Sequence, residues 1–527
     1  MVLFVTYVEM MDSVACYYKF VTHYKRIMSK HPTNKSTYSL MTKAVFLTFV
    51  LLAGSTLSSQ VSAARYTAEG IYDPEIYQLE NGMRVILNER HGARNVAIRL
   101  NVGLGIYDFD CLQQETAHFL EHLLFTGTSK HSESQLDEII IHHGGRWNAS
   151  TYGEDTVFEI DIFSEYANVG LATLHEIITD STISKADYEQ SQGIIYRELG
   201  GVPTRITRFL HQHEFVSSAR DKVLKAMLEG SRIYCSHLIT LENISRQDIL
   251  DAYEKFYVPN NMTLVITGDF DTAVMKQQIT RLFGNMPARK LQRDIPEAEK
   301  FNDGPLRVTG TFDPVFGTNG TAELVYRTNG YWSPDYYVFL IIKAYFYKKL
   351  FEAIRVNEGL SYSPAVEFIS SRNEGLFIVN ADADLDDLDK VSDIMHREVI
   401  RLRDGKVTDE EINTTIKSLL LRKASGLESN ADIAWHYVNN LEEVDKFGGF
   451  VNQEILLEKF TPGDVRDVAQ RYLKLSNMAF VQSKPTLTSN QFYFLVAFVL
   501  LLLVFLGWRL TKRIGLQVSI IKKKRKG

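Results

Sequence analysis

The chain has 527 residues, 45% of them hydrophobic, and a formal net charge of -6. That length exceeds what one core usually serves, and that composition excludes disorder for the bulk of it, so two or more folded domains are expected. The charge is small for the length and spread along it, which excludes a nucleic-acid footprint outside the extreme C-terminus.

In chain order, the first departure from soluble composition is residues 41–64, MTKAVFLTFVLLAGSTLSSQVSAA. A lysine, an apolar run and a small-residue end follow one another as in a signal peptide. Cleavage after Ala63 or Ala64 and a start at Met41 follow from that reading, leaving residues 1–40 as an over-long leader. Residues 65–285 then alternate between two patterns. MRVILNE, VAIRLNVGLG and TVFEIDIF have the β-branched alternation of strands, while TAHFLEHLLF, YANVGLATLHEIITD and KADYEQSQGIIYRELGG read as helices. Cys111 and Cys235 remain after signal removal; an exported protein could bridge them, but one distant pair leaves the bond open.

Residues 286–306 are rich in charge and proline without an apolar period and read as a linker. Beyond it, 307–484 forms a second domain, because DILDAYEKFYVPNNMTLVITGD and DVRDVAQRYLKLSNMAFVQSKP align without a gap. Asp248, Asp251, Asn261 and Met262 match Asp464, Asp467, Asn477 and Met478, and ISKADYEQ falls at nearly the same offset from VTDEEINT. Finally, no charge occurs from Pro485 to Trp508. Some 20 apolar residues cross a hydrocarbon layer of about 30 Å, so 491–510 is a predicted transmembrane helix. Tyr493 and Trp508 flank it, and the basic tail 511–527 places the C-terminus in the cytoplasm, the domains outside, and the lysines against anionic headgroups.

Within the first domain, AHFLEHLLF sets His118 and His122 four apart on one helical face, close enough to grip a single ion, with Glu121 beside them. A metal there lowers the pKa of water, and a neighbouring carboxylate can take the proton as water attacks a carbonyl. The plainer reading, solvated polar residues on an amphipathic helix, is disfavoured because Phe119, Leu120, Leu123 and Leu124 already supply the apolar face. His142 and His143 precede two glycines and read as a helix end. His211 and His213 point about 200° apart on a helix, which excludes a shared ion.

The spacing HxxEH inverts the HExxH zinc signature, and here the sequence resembles the insulinase, pitrilysin and mitochondrial processing peptidase family of inverted zincins. The resemblance implies a downstream glutamate as third ligand, and Glu198 in IIYRELGG stands at the expected distance. It extends through YQLENGMRVILNE, HFLEHLLFTGT and VPNNMTLVITGDFD. In GGRWNASTYGEDTVFEI it implies that Asn148 and Ala149 line the substrate groove. In RVNEGLSYS it implies that Arg355 and Tyr362 hold substrate backbone and the tetrahedral oxygen, donors that favour an active enzyme over a decoy. Two departures stand out. Ser191 replaces the family's usual supporting glutamate, with Glu189 off register, and the second repeat lacks the metal set, its counterpart helix lying in SPDYYVFLIIKAYF and Arg422 falling near the equivalent of Glu198.

Taken together, the resemblance implies an α+β fold of two homologous tandem domains, each a mainly antiparallel sheet with helices on one face, to which the uncharged apolar run adds one C-terminal transmembrane helix. It implies a zinc metalloendopeptidase in which His118, His122 and Glu198 hold Zn2+, Glu121 is the catalytic base, and an extended peptide adds as a strand to a sheet edge. Because the family works as a two-half clamshell and this chain is one half, a partner is implied: a homodimer by preference, a heterodimer with a related subunit otherwise. The expected location is a single-pass membrane protein with its catalytic part exported, by preference to the periplasmic side of the inner membrane. Two rival classes are a non-catalytic peptidase-like subunit and a membrane-tethered peptide-binding module.

Overall fold

Alternating apolar residues form strands wherever one face of the chain can be buried, and in this protein they assemble two sheets of like topology. The computed structural model describes residues 70–212, 218–235, 241–293, 297 and 304–524. The leader, the signal segment and His213 lie outside the described residues. The first sheet contains β1 (Glu75–Gln78), β2 (Arg84–Glu89), β3 (Asn95–Val102), β4 (Arg146–Thr151), β5 (Thr156–Phe163) and β6 (Met262–Gly268), in the order β1-β2-β6-β3-β5-β4. Only the β2–β6 pair is parallel. Its half carries α1 (Thr116–Phe125), α2 (Glu133–His142), α3 (Ala167–Asp180), α4 (Lys185–Glu198), α5 (Arg205–Gln212), α6 (Ala219–Met227), α7 (Arg246–Phe256) and α8 (Thr272–Phe283).

The second half comprises β7 (Leu306–Gly317), β8 (Asn319–Asn329), α9 (Tyr336–Leu350), β9 (Ala365–Ser370), β10 (Glu374–Asp384), α10 (Leu388–Arg403), α11 (Asp409–Ser425), α12 (Asn430–Val438), α13 (Leu441–Phe447), α14 (Gln453–Lys459), α15 (Pro462–Tyr472) and β11 (Met478–Thr488). Its sheet runs β7-β11-β8-β10-β9 and repeats the same plan: the last strand inserts parallel to the first and antiparallel to the second. The architecture is therefore α+β, two tandem homologous domains built on mainly antiparallel sheets. Residues shared by the two repeats do the same jobs. Asn261 donates to Gly103 O (3.0 Å) and Phe256 O (2.9 Å), and Asn477 donates to Arg327 O (2.6 Å) and Tyr472 O (2.9 Å). Asp248 and Asp464 each close a capping box, with Ser245 and Thr461, at the start of α7 and α15.

Each sheet buries one face under its own helices. The first core joins Val85, Ile98, Phe158 and Leu264 to Phe119, Leu123, Ile177 and Phe283; the second joins Leu324, Phe377 and Val379 to Ile341, Phe346 and Met395. The reverse face of each sheet is covered by a helix from the opposite half. Ile433, Ala434 and Tyr437 of α12 pack on Ile86, Ala97 and Val265, while Ala219, Val223 and Met227 of α6 pack on Val325, Ile378 and Val481. A Cβ on Gly310 of β7 would stand 2.9 Å from Ala219 N, so glycine there permits the close approach of α6. Tyr437 anchors α12: its hydroxyl donates to Ile71 O and accepts from Asn88 Nδ2 at 2.8 Å. Tyr437→Phe removes the hydroxyl that links Ile71 O to Asn88 Nδ2 in an apolar setting and is expected to cost about 1–3 kcal/mol in denaturant unfolding of the detergent-solubilised chain.

His436 of α12 makes the fold sensitive to acid. It lies between the rings of Tyr72 (centroids 5.7 Å) and Phe450 (6.1 Å), and burial, then the charge of Lys423, lower its pKa to about 4. The folded state thus resists a proton that the unfolded state accepts near 6.5. This contribution is present above pH 6.5 and is lost as pH falls from 6.5 towards 4, by up to about 3 kcal/mol. Asp155 and Glu442, raised by burial to about 6 and about 7, act oppositely: their contribution is lost as pH rises through those values. The difference between wild type and His436→Phe, followed by unfolding at pH 7.5 and pH 5, is therefore expected to shrink in the variant's favour at pH 5.

β11 ends at Thr488 and the chain enters α16 (Ser489–Lys524) without a linker. Its Ser489–Lys512 stretch is long and apolar enough to cross a membrane, and its apolar core is not buried against the rest of the chain.

Candidate metal centre

α1 buries Thr116, Ala117, Phe119, Leu120, Leu123 and Leu124, which leaves His118, Glu121 and His122 half-buried along one stripe. α4 starts in a capping box between Ser184 and Asp187. It stops at Glu198, where Gly200 and Gly201 (φ +87° and +106°) turn the chain away in a conformation that favours glycine. The helix end thereby delivers the Glu198 carboxylate to the two imidazoles. His118 Nε2 and His122 Nε2 are 3.1 Å apart, and Glu198 Oε2 lies 3.5 Å from the first and 3.4 Å from the second.

These separations fit a resident metal ion. Bonds of about 2.0–2.2 Å in tetrahedral geometry place donors about 3.3–3.6 Å from one another, within a few tenths of an ångström of these values, and two imidazoles with one carboxylate are a donor set typical of catalytic zinc. The remaining hydrogen bonds prepare the lone pairs. His118 Nδ1 stands 2.9 Å from Glu115 Oε2, so Nδ1 carries the hydrogen and Nε2 is free to ligate. Burial opposes protonation of His118, yet the Glu115 hydrogen bond and the charges of Glu115, Glu121 and Glu198 raise its pKa overall. Burial and the neighbouring His118 charge lower that of His122.

Glu121 stands outside the donor triangle. Burial raises its pKa, and Thr151 Oγ1 at the end of β4 donates to its Oε2 at 2.5 Å. Glu115 and Thr151 escaped the motif reading. Glu115 carried the signal of standing one turn before His118; Thr151 carried none, because its contact arises only when β4 crosses α1. β4 is the outer strand of its sheet and, among the described residues, pairs along one edge only. Asn148 is exposed there on the face opposite Ala149 and Thr151, and Ala149 is 8% exposed, so along that edge Ala149 offers backbone rather than side chain.

The departure around Ser191 has a structural counterpart. Ser191 is 1% exposed, with an Oγ that finds no partner among the described residues, and Glu189 is turned outward to Lys185 at 3.7 Å. Neither supports Glu198. Arg355 and Tyr362 lie together on the second domain: Arg355 Nη1 donates to Tyr362 O at 2.9 Å, with its guanidinium 4.3 Å over the ring centroid. Arg355 belongs to a π-helical turn, Phe351–Val356, and Tyr362 is 75% exposed. Among the described residues no hydrogen bond or ion pair joins this pair to the metal cluster. His142 and His143 do end α2, with His143 Nδ1 2.6 Å from Ile139 O. Cys111 and Cys235 form a disulfide.

A model described as Insulinase (Peptidase family M16) matches residues 84–227, and one described as Peptidase M16 inactive domain matches residues 243–419. The chain is 24% identical over 415 residues to an uncharacterized zinc protease of Rickettsia bellii, covering 75% of this chain and 93% of that one. It is 24% identical over 393 residues to the mitochondrial-processing peptidase subunit beta of Saccharomyces cerevisiae, covering 71% and 81%. Among solved structures, a protease from Helicobacter pylori shares the fold with a TM-score of 0.65 at 17% identity, covering 78% of this chain and 99% of that one.

Proposed function

The chain belongs to the insulinase family of peptidases, peptidase family M16, and from that premise we propose that it is a zinc metalloendopeptidase acting on extended or unfolded peptides. The observation that carries this reading is the donor triangle of His118, His122 and Glu198 with a separate desolvated carboxylate, Glu121, beside it. A zinc ion held there supplies Lewis acidity, polarising the scissile carbonyl and acidifying water. The Glu121 carboxylate takes the proton of the attacking water and returns it to the leaving amine nitrogen, while Thr151 keeps the carboxylate pointed at that water. Substrate backbone pairs with the free edge of β4, which selects an extended chain over particular side chains.

Purified protein is then expected to carry zinc in one-to-one ratio, and Glu198→Gln to lose most of it while staying folded and melting where metal-stripped wild type melts, read by metal analysis and melting. A folded wild type without zinc would point instead to the non-catalytic subunit or the peptide-binding module. Thr151→Val is expected to keep its zinc and lose about 10- to 100-fold in kcat, the value of one hydrogen bond to a charged group.

Tyr362 is 75% exposed and Arg355 beside it is half-buried, and the pair suits a surface that meets another subunit. In this reading they reach the metal site of a second copy, steadying the tetrahedral oxygen in a homodimer, and Asn148 contacts the peptide. A strictly monomeric species with full activity in mild detergent would overturn the dimer. The membrane assignment rests on α16: the helix spans, the basic end stays in the cytoplasm, and the peptidase body is exported, by preference to the periplasm.

A further inference from the structure

Tyr257 closes α7 at its C-terminal end, and α7 packs against α1. Its ring stands 6.2 Å from that of Phe158 in β5, and Phe158 stands 5.9 Å from Phe125 in α1. Phe125 is one helical turn after Glu121, and Phe158 follows Thr156 by two residues on the same face of β5. Thr156 Oγ1 in turn lies 3.3 Å from Thr151 Oγ1, which donates to Glu121 Oε2 at 2.5 Å. Two neighbouring rungs therefore join β5 to α1, one through Thr156, Thr151 and Glu121 and the other through Phe158 and Phe125. Tyr257 stands beside the second rung, and the carboxylate charge that reaches its hydroxyl is that of Glu121.

That hydroxyl is buried and has no hydrogen-bond partner among the described residues. Neighbouring tyrosines differ. Tyr253 Oη donates to Ile178 O at 2.6 Å, Tyr188 Oη donates to Ile244 O at 2.7 Å, and Tyr196 Oη accepts from Leu241 N at 3.1 Å. An unpaired buried donor destabilises a fold, so its retention calls for an acceptor that meets it in another state of the site. The Glu121 carboxylate, with several lone pairs and its donors drawn from Thr151, has acceptor capacity to spare. Burial, then the Glu121 charge, hold the Tyr257 pKa well above its usual value, so the hydroxyl keeps its hydrogen and remains a donor.

We propose that Tyr257 is a positioning residue for Glu121, an inference that rests on the reading of Glu121 as the base. Having taken the proton of the attacking water, the Glu121 carboxyl must turn from Thr151 to present that proton to the leaving nitrogen. Tyr257 Oη then donates to the carbonyl oxygen of the carboxyl group, which holds the acid O–H towards the nitrogen. The bond forms only during turnover, which is why the resting fold leaves the hydroxyl unpaired. Tyr257 acts through Glu121 and supplies nothing to the metal.

The test compares Tyr257→Phe with Tyr253→Phe in the full chain in mild detergent, reading zinc content, melting temperature, and kcat and KM on a fluorogenic extended peptide. Tyr257→Phe is expected to keep its zinc and to melt no lower than wild type, because no hydrogen bond of the resting fold is lost. Its kcat should fall about 10- to 100-fold, with KM within about twofold of wild type. Tyr253→Phe is expected to do the reverse, melting about 1–3 °C lower and cleaving at the wild-type kcat. Wild-type kcat in Tyr257→Phe would overturn the proposal, as would loss of its zinc, a fall in melting as large as that of Tyr253→Phe, or an equal loss of kcat in both variants. Wild type that holds zinc yet cleaves nothing would instead sink the peptidase reading itself, whereas wild type that cleaves no faster than Tyr257→Phe sinks the positioning role alone.

Discussion

Glu121→Gln is expected to lower kcat/KM on an extended peptide by about 10²- to 10⁴-fold while leaving zinc content and melting temperature unchanged. The two outcomes separate because Glu121 lies beside the donor triangle and not in it: the atoms that could hold a metal belong to His118, His122 and Glu198. Glutamine keeps the shape of the side chain and can still accept from Thr151 through its amide oxygen, so the crossing of β4 over α1 survives. What it cannot do is take a proton. In wild type, burial raises the Glu121 pKa, which makes the carboxylate a stronger base once it is ionised and places the loss of activity on the acid side. Cleavage rates and metal content measured on the same two preparations decide it. A variant that cuts at the wild-type rate would remove Glu121 from the chemistry, and one that loses zinc would make it a ligand.

That prediction was legible from the sequence because helical geometry fixes it. Residues three and four apart must share a face, so His118, Glu121 and His122 needed no tertiary knowledge. The capping residues Ser184 and Thr408 likewise announced α4 and α11 locally. Glu198 is different: its distance from the motif carried meaning only through family resemblance, and its arrival at the imidazoles depends on two positive-φ glycines ending α4 on time. The exchange of α6 and α12 between sheets was not legible at all. An apolar stripe says that a helix will be covered, but not by which sheet, and either reverse face would have accepted it. Thr151 is of the same kind, since its contact with Glu121 arises from segments that meet only after the sheets have formed.

The disulfide belongs to that class too, and its removal carries the other large effect. Cys111→Ser with Cys235→Ser is expected to cost about 4–5 kcal/mol in denaturant unfolding, the chain-entropy value for a loop of this length; the two cysteines are 124 residues apart. Position matters as much as loop length. Cys111 lies in the turn that leads into α1, and Cys235 follows α6, the helix laid on the opposite domain's sheet. The bond therefore joins the start of the metal helix to a segment held by the second domain, and weaker contacts repeat the link: Arg232 Nη2 to Asp110 at 2.8 Å and Gln114 Nε2 to Arg232 O at 2.7 Å. Without the covalent tie the link rests on such contacts, Arg232 Nη1 to Asp108 O at 3.3 Å among them, and the start of α1 carries Glu115, whose carboxylate stands 2.9 Å from His118 Nδ1. The double variant is thus expected to bind zinc more weakly as well as to unfold earlier. Reductant should reproduce both changes in wild type and do nothing to the variant. If reductant instead shifts both proteins equally, its effect lies elsewhere, most simply in competition for zinc, and the tie between α1 and the second domain is not what stabilises the site.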